Sequence, residues 1–225
     1  MMPKDCRMPN LDSVDPSLIR CLAPKLLGGD GNEKVNLFLR NYARLIDLAI
    51  DEYQRARQSC IYDIEDLSKT ADERRKNGHT VYILAFANHF EFCINATARI
   101  IKNLKGIKSN NKSPQIDRVT RKFIEAISQD FIEARNAVEH MDEEIQGNKS
   151  GNGNPVFPTF AADDTIVKVG KREIKVTNLA TLLEKLHQIG YQMITGEQQI
   201  QVEQKGVQPC IKFPLRIENG GKNWY

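Results

Sequence analysis

The chain has 225 residues, 40% of them hydrophobic and 27% charged, a balance that supports one well-buried core. A formal charge of +3 is too small to mark a nucleic-acid binder by itself. No stretch approaches the ~20 apolar residues of a membrane span, and residues 1–10 lack the apolar segment of a secretory signal.

Five cysteines, Cys6, Cys21, Cys60, Cys93 and Cys210, show no C-x-x-C spacing. That pattern predicts free thiols in a reducing cytoplasm, without a metal site or a disulfide framework.

Residues 1–32 carry Pro3, Pro9, Pro16, Pro24 and the run Gly28-Gly29-Asp30-Gly31. They predict an irregular arm with one short helix near residues 17–22. From residue 33 onward Val35, Leu39, Tyr42, Leu45, Ile46, Ala49, Ile50 and Tyr53 recur at spacings of three and four, and the pattern continues through Cys60, Ile64 and Leu67. This predicts one very long helix or two, with a break placed near residues 58–62.

A second helix is expected over about 79–104, on the stripe Ile83, Ala87, Phe90, Ile94, Thr97, Ile101 and Leu104, ended by Gly106. A third is expected from Ser113-Pro114, with Ser113 as cap and Pro114 in the first turn. Its apolar face, Ile116, Val119, Phe123, Ile127, Phe131, Ala134, Val138, Met141 and Ile145, is the clearest period in the chain.

After the break at Gly147–Pro155, two period-two segments around Gly170-Lys171 predict a β-hairpin within about 163–177. A last helix is expected over about 178–199. Residues 201–225 read as a tail with one edge strand near 211–217, where Pro214 bars a central position. The fold class is therefore mainly α: an antiparallel bundle of four to five helices over residues 33–200, with a small β-hairpin inserted before the last long helix.

The candidate chemistry lies late on the third helix, in Arg135-Asn136-Ala137-Val138-Glu139-His140. Histidine has an ordinary pKa of about 6.5, suited to proton transfer at neutral pH. A guanidinium offers a planar fork for phosphate oxygens. Together they can move the proton of an RNA 2′-hydroxyl and offset the charge that accumulates on the phosphorus centre, with no metal required.

Asn136 and His140, four apart, share a helix face, whereas Arg135 shares one with Glu139 and Asp142. Positions five apart differ by ~140° on an ideal helix. Arg135 and His140 therefore meet only through a bend, through the reach of the arginine, or across a two-fold axis in a homodimer.

Arg, an adjacent polar residue and a His after four intervening positions resemble the mark of the HEPN superfamily. The resemblance implies a helical bundle acting as a homodimeric, metal-independent endoribonuclease in toxin–antitoxin, anti-phage or RNA-processing systems. Arg135 and His140 would then be the catalytic pair, with Asn136 in support, no cofactor, and an antitoxin or defence protein as a further partner. Asp142 occupies the position where one subgroup carries a modified tyrosine.

Asn88 and Asn95, on the second helix, are candidate supporting residues. Arg99, Lys102, Lys105, Lys108, Arg118, Arg121 and Lys122, clustered about the second interhelical loop with Lys112, are candidate RNA-binding residues. Acidic residues surround the motif itself and oppose an RNA path there. The competing expectation is a noncatalytic helical dimerisation or interaction module, in which Arg135 and His140 only form surface ion pairs. His89 reads as a packing histidine, and His187 is expected on the exposed side of the last helix.

Overall fold

A computed structural model describes residues 5–22, 33–77, 82–109, 116–147, 157–161 and 164–195. The chain is mainly helical, with a small three-stranded antiparallel sheet. Helix α1 spans Glu33–Ser68, α2 Ala71–Asn77, α3 Tyr82–Ser109, α4 Arg118–Glu139, α5 Met141–Gln146 and α6 Val176–Thr195; β1 is Thr159–Phe160, β2 Ile166–Val169 and β3 Arg172–Lys175. Helix α1 packs chiefly along α3 and also against α6, while α4 packs on α3 and on the β2–β3 hairpin. Among the described residues no helix is long and apolar enough to cross a membrane.

Helix α1 runs unbroken through residues 58–62, where a break was expected. It contains no Gly or Pro, and the polar residues that interrupt its stripe are buried with partners rather than marking an end. Asp47 and Glu52 are each only 8% exposed. Ser59 and Cys60 also face the interior. The chain turns after Ser68, and a capping box at Thr70 and Glu73 opens α2: the Glu73 carboxylate accepts from the Thr70 N–H at 2.8 Å, and the Thr70 hydroxyl accepts from the Glu73 N–H at 3.3 Å.

Helix α3 continues past Gly106 to Ser109, correcting the expected stop. Gly106 is there for packing, because a Cβ at this position would come within 2.7 Å of the Phe38 ring. Helix α4 starts at Arg118, later than expected; Ser113 and Pro114 lie outside the described residues, but Asp117 is the cap. Its carboxylate accepts from the Val119 and Thr120 N–H groups at 2.9 Å each, satisfying donors that the first helical turn leaves open. The long apolar face predicted through residue 145 is split at His140, where α4 ends and α5 begins.

The hairpin pairs Val169 with Arg172 and Ile166 with Lys175. Gly170, in its turn, has φ of 57°, a left-handed conformation that glycine adopts without strain. A Cβ on Gly170 would meet the Ala137 Cβ at 3.2 Å, so this turn is seated against α4. Strand β1, two residues long and following Pro158, was not anticipated; it pairs with β2 and lays Phe160 on Phe86 with ring centroids 4.7 Å apart. Helix α6 begins at Val176, two residues before the expected start; residues 196–199 and the predicted tail strand lie outside the described residues.

The N-terminal arm is part of the core. Met8, Leu11, Leu18 and Leu22 are buried, and residues 18–22 form the expected short helix. Asp47 of α1 caps it, accepting from the Leu18 N–H at 3.1 Å and the Ile19 N–H at 3.0 Å. Tyr53 donates to the Pro9 carbonyl at 2.9 Å, and Arg57 Nε donates to the Met8 carbonyl at 3.0 Å.

From α6, His187 is bound through Nε2 to the Asp15 carbonyl at 2.9 Å. His187 is only 6% exposed, so the expectation of an exposed ring is wrong: the arm covers it. Burial pushes the Asp47 carboxyl up despite its two N–H donors. Burial also lowers His187 below the usual imidazole value, against the Asp15 bond and the Asp47 charge.

Two outcomes follow for stability. Asp47→Ala strands two N–H groups and lowers unfolding free energy by about 2 kcal/mol, read by denaturant titration, and exposes the arm to limited proteolysis. A neutral variant and wild type of equal stability would show that the cap contributes nothing. His187 is held neutral in the folded state, so its stabilisation is full above about pH 6.5 and is lost as pH falls from there toward its lowered folded value. Thermal midpoints of wild type therefore fall more steeply over that acid range than those of His187→Gln.

Candidate functional site

Arg135 lies on the last turns of α4, on the side turned toward α3. Its Nε donates to Asn95 Oδ1 at 3.2 Å, and an Nη donates to the Glu139 carboxylate one turn later. The side chain is 19% exposed, so the guanidinium is anchored rather than free to sweep. Of the two asparagines singled out on α3, Asn95 is thus the one in contact with Arg135. Asn88, also on α3, is exposed, and Asn136 is exposed on α4.

His140 stands where α4 stops. Its backbone N–H donates to the Asn136 carbonyl at 3.0 Å, and its dihedrals, φ −109° and ψ 20°, leave the helical basin. The imidazole is 60% exposed, with Nδ1 3.3 Å from the Glu143 carboxylate. Among the described residues Arg135 and His140 do not touch. Within one chain, each ends on a separate carboxylate.

Two contacts brace the motif helix from the sheet. Arg172 of β3 pairs with Glu133, two residues before Arg135, and Gly170 abuts Ala137 between the arginine and the histidine. Neither contact was read from the sequence, since both join segments that are distant along the chain.

The basic residues gather at the other end of the α3–α4 seam. Arg99, Lys102, Lys105, Arg118, Arg121 and Lys122 are all exposed; the Lys108 side chain lies outside the description. Between them opens a cleft of about 190 Å3, floored by Ile101, Leu104, Ile116 and Ile124 and edged by Lys105, Arg121 and the carboxylate of Glu125. Asn95 faces Arg135, while Ile101 and Leu104 share the cleft with Ile124 and Ser128. Residue numbers rise along one helix as they fall along the other, so α3 and α4 run in opposite directions here. Ser128 precedes Arg135 by seven residues, which sets the cleft ~10 Å from the guanidinium along α4.

A further pair escaped sequence reading. His89 of α3 meets Glu52 of α1, Nδ1 to Oε2, at 2.6 Å, with Arg55 3.8 Å from the other carboxylate oxygen. His89 packs as expected, but its partner sits 37 positions away. A carboxylate in the middle of an apolar stripe was the available signal. Because Glu52 is buried, His89→Ala leaves its carboxylate with only the longer Arg55 contact and lowers stability by about 1–2 kcal/mol, whereas Glu52→Gln with His89→Ala recovers part of that loss. Equal stability of the single variant and wild type, measured by chemical denaturation, would refute the pairing. No protein-family model matches this chain, and neither a curated protein nor a solved structure matches it significantly.

Proposed function

We propose that this chain is a HEPN-like antiparallel helical bundle that cleaves RNA as a cytoplasmic homodimer, without a metal. The reading is carried by the break of α4 at His140: the motif sits where an exposed imidazole leaves a helix that holds an anchored guanidinium five residues earlier. His140 takes the 2′-hydroxyl proton or returns one to the leaving oxygen. Arg135 exchanges its Glu139 contact for a phosphate oxygen. Asn95 keeps the guanidinium in place while that exchange occurs, and Asn136, on the face of His140, donates to the phosphate or orients the ring.

The α3 face that carries Asn95 also exposes Leu84 and Phe92, at 49% and 58%. A second copy seated on that face covers both side chains and brings its own imidazole toward Arg135, which supplies the meeting that one chain lacks. The cleft ~10 Å along the seam is the path for the flanking strand: Lys105 and Arg121 at its edge hold phosphates, away from Glu125, and its apolar floor accepts an unstacked base. An antitoxin or defence protein would cap the same surface.

A second reading, a noncatalytic dimerisation module, draws on the carboxylates that occupy the motif, Glu139 on Arg135 and Glu143 on His140. Incubation of purified protein with single-stranded RNA in excess EDTA separates the two. The enzyme leaves 2′,3′-cyclic phosphate ends, and Arg135→Ala and His140→Ala each slow cleavage by about 100-fold or more. Equal cutting by wild type and both variants, or none by wild type, decides for the module. A strict monomer at tens of micromolar by light scattering defeats both readings.

A further inference from the structure

Cysteine spacing predicts isolated thiols, yet the docked arm brings two of them together. Cys6 is half-buried, with its Sγ donating to the Arg57 carbonyl at 3.8 Å. Cys60, three residues further along α1 and so one helical turn from that carbonyl, is 2% exposed, and its thiol is the neighbour with the largest influence on the Cys6 thiol. The bonds from Arg57 to Met8 and from Tyr53 to Pro9 fix the arm immediately after Cys6, along the turn of α1 that precedes Cys60. The two sulfurs therefore meet through the fold, at a junction that other interactions already hold in register.

We propose that Cys6 and Cys60 form a peroxide-responsive thiol pair that closes to a disulfide and staples the N-terminal arm to α1. The division of labour follows first from exposure, since Cys6 is half-buried whereas Cys60 is closed off from solvent. The Cys60 thiol, followed by the backbone at Met8 and the Arg57 guanidinium, brings the Cys6 thiol down to about 7 against the effect of burial. Cys6, with burial, pushes Cys60 up. Cys6 is thus the more acidic and more accessible sulfur, the combination that reacts first with an oxidant. Buried Cys93, pushed up to about 12 by burial, does not compete.

The chemistry balances with a peroxide as the named oxidant. The Cys6 thiolate attacks one peroxide oxygen, an S–O bond forms, the O–O bond breaks, and the departing hydroxide takes a proton to become water. Cys60 then gives up its proton and attacks the sulfenic sulfur. The S–S bond forms, the S–O bond breaks, and a second water leaves. Two thiols lose two electrons and two protons, and one peroxide becomes two waters. A bridge between positions 6 and 60 closes a long loop, the case in which a disulfide restricts the unfolded chain most.

The test uses the full-length wild-type chain, treated at neutral pH with a small excess of hydrogen peroxide, quenched with N-ethylmaleimide and digested without reductant. The expected result is a dithiothreitol-reversible peptide joining Cys6 to Cys60. Intact mass falls by two hydrogens, and the thermal midpoint rises by roughly 5–10 °C. In Cys60→Ser the reaction stops at a Cys6 sulfenic acid, captured by dimedone, with no rise in midpoint. Two outcomes overturn the proposal in the wild type: both thiols still alkylated by N-ethylmaleimide after peroxide, or Cys6 carried to the sulfinic acid while Cys60 remains a thiol. Neither depends on whether the protein cuts RNA.

Discussion

Arg135 is held from two directions, by an amide oxygen on a neighbouring helix and by a carboxylate on its own. The first contact positions the guanidinium against α3. The second occupies the donors that a phosphate would need. A planar fork with five N–H groups can keep the Nε bond to Asn95 while releasing Glu139, so the two contacts use different edges of the same group. The motif thus rests with its positive charge already paired, and under the proposed function an RNA backbone would have to displace that carboxylate to bind. The local acidic character noted around the motif has a structural counterpart in Glu139 and Glu143.

The centre of the molecule is organised by side chains that look out of place on α1. Asp47 and Glu52 interrupt an otherwise apolar face, and each carries a tertiary connection: Asp47 to the arm, Glu52 to α3 through His89. Burying either carboxylate alone costs more than a hydrogen bond returns. They are tolerated because donors converge on them from other segments. The arm, α1 and α6 are consequently joined by directional bonds as well as by apolar contact, with Tyr42 adding a bond from its hydroxyl to the Leu186 carbonyl at 2.7 Å. Directional contacts of this kind fix how far each element slides along the next, which apolar packing alone leaves loosely determined.

Helix existence was legible wherever the stripe was long and uninterrupted, and the hairpin was legible from its alternation about Gly170. Boundaries were less so, for identifiable reasons. Gly106 suggested an end because nothing local reveals that the Phe38 ring needs the space. Ser113-Pro114 suggested the start of α4 because a serine before a proline fits a helix cap, and Asp117, four residues on, was passed over although it fits one as well. The break placed near 58–62 had no Gly or Pro to support it, and the helix runs on there with Ser59 and Cys60 facing the interior. His187 was misplaced because a helix wheel shows which face a ring occupies, not what later covers it. Within the motif, the shared face of Arg135 and Glu139 was readable from spacing, while the contact of Asn95 with Arg135 needed the packing of α3 on α4.

The seating of Gly170 against Ala137 has a consequence for the segment between Arg135 and His140. Terminal helical turns ordinarily fray, and a site on such a turn would wander by more than the fraction of an ångström that proton transfer tolerates. Here the sheet's tight corner acts as a backstop, pressing on the one short side chain in the hexapeptide that leaves room for it. The alignment of the imidazole-bearing end is thereby inherited from the strand ladder behind it, and a single added methyl at that corner would be felt as a tilt of the whole turn.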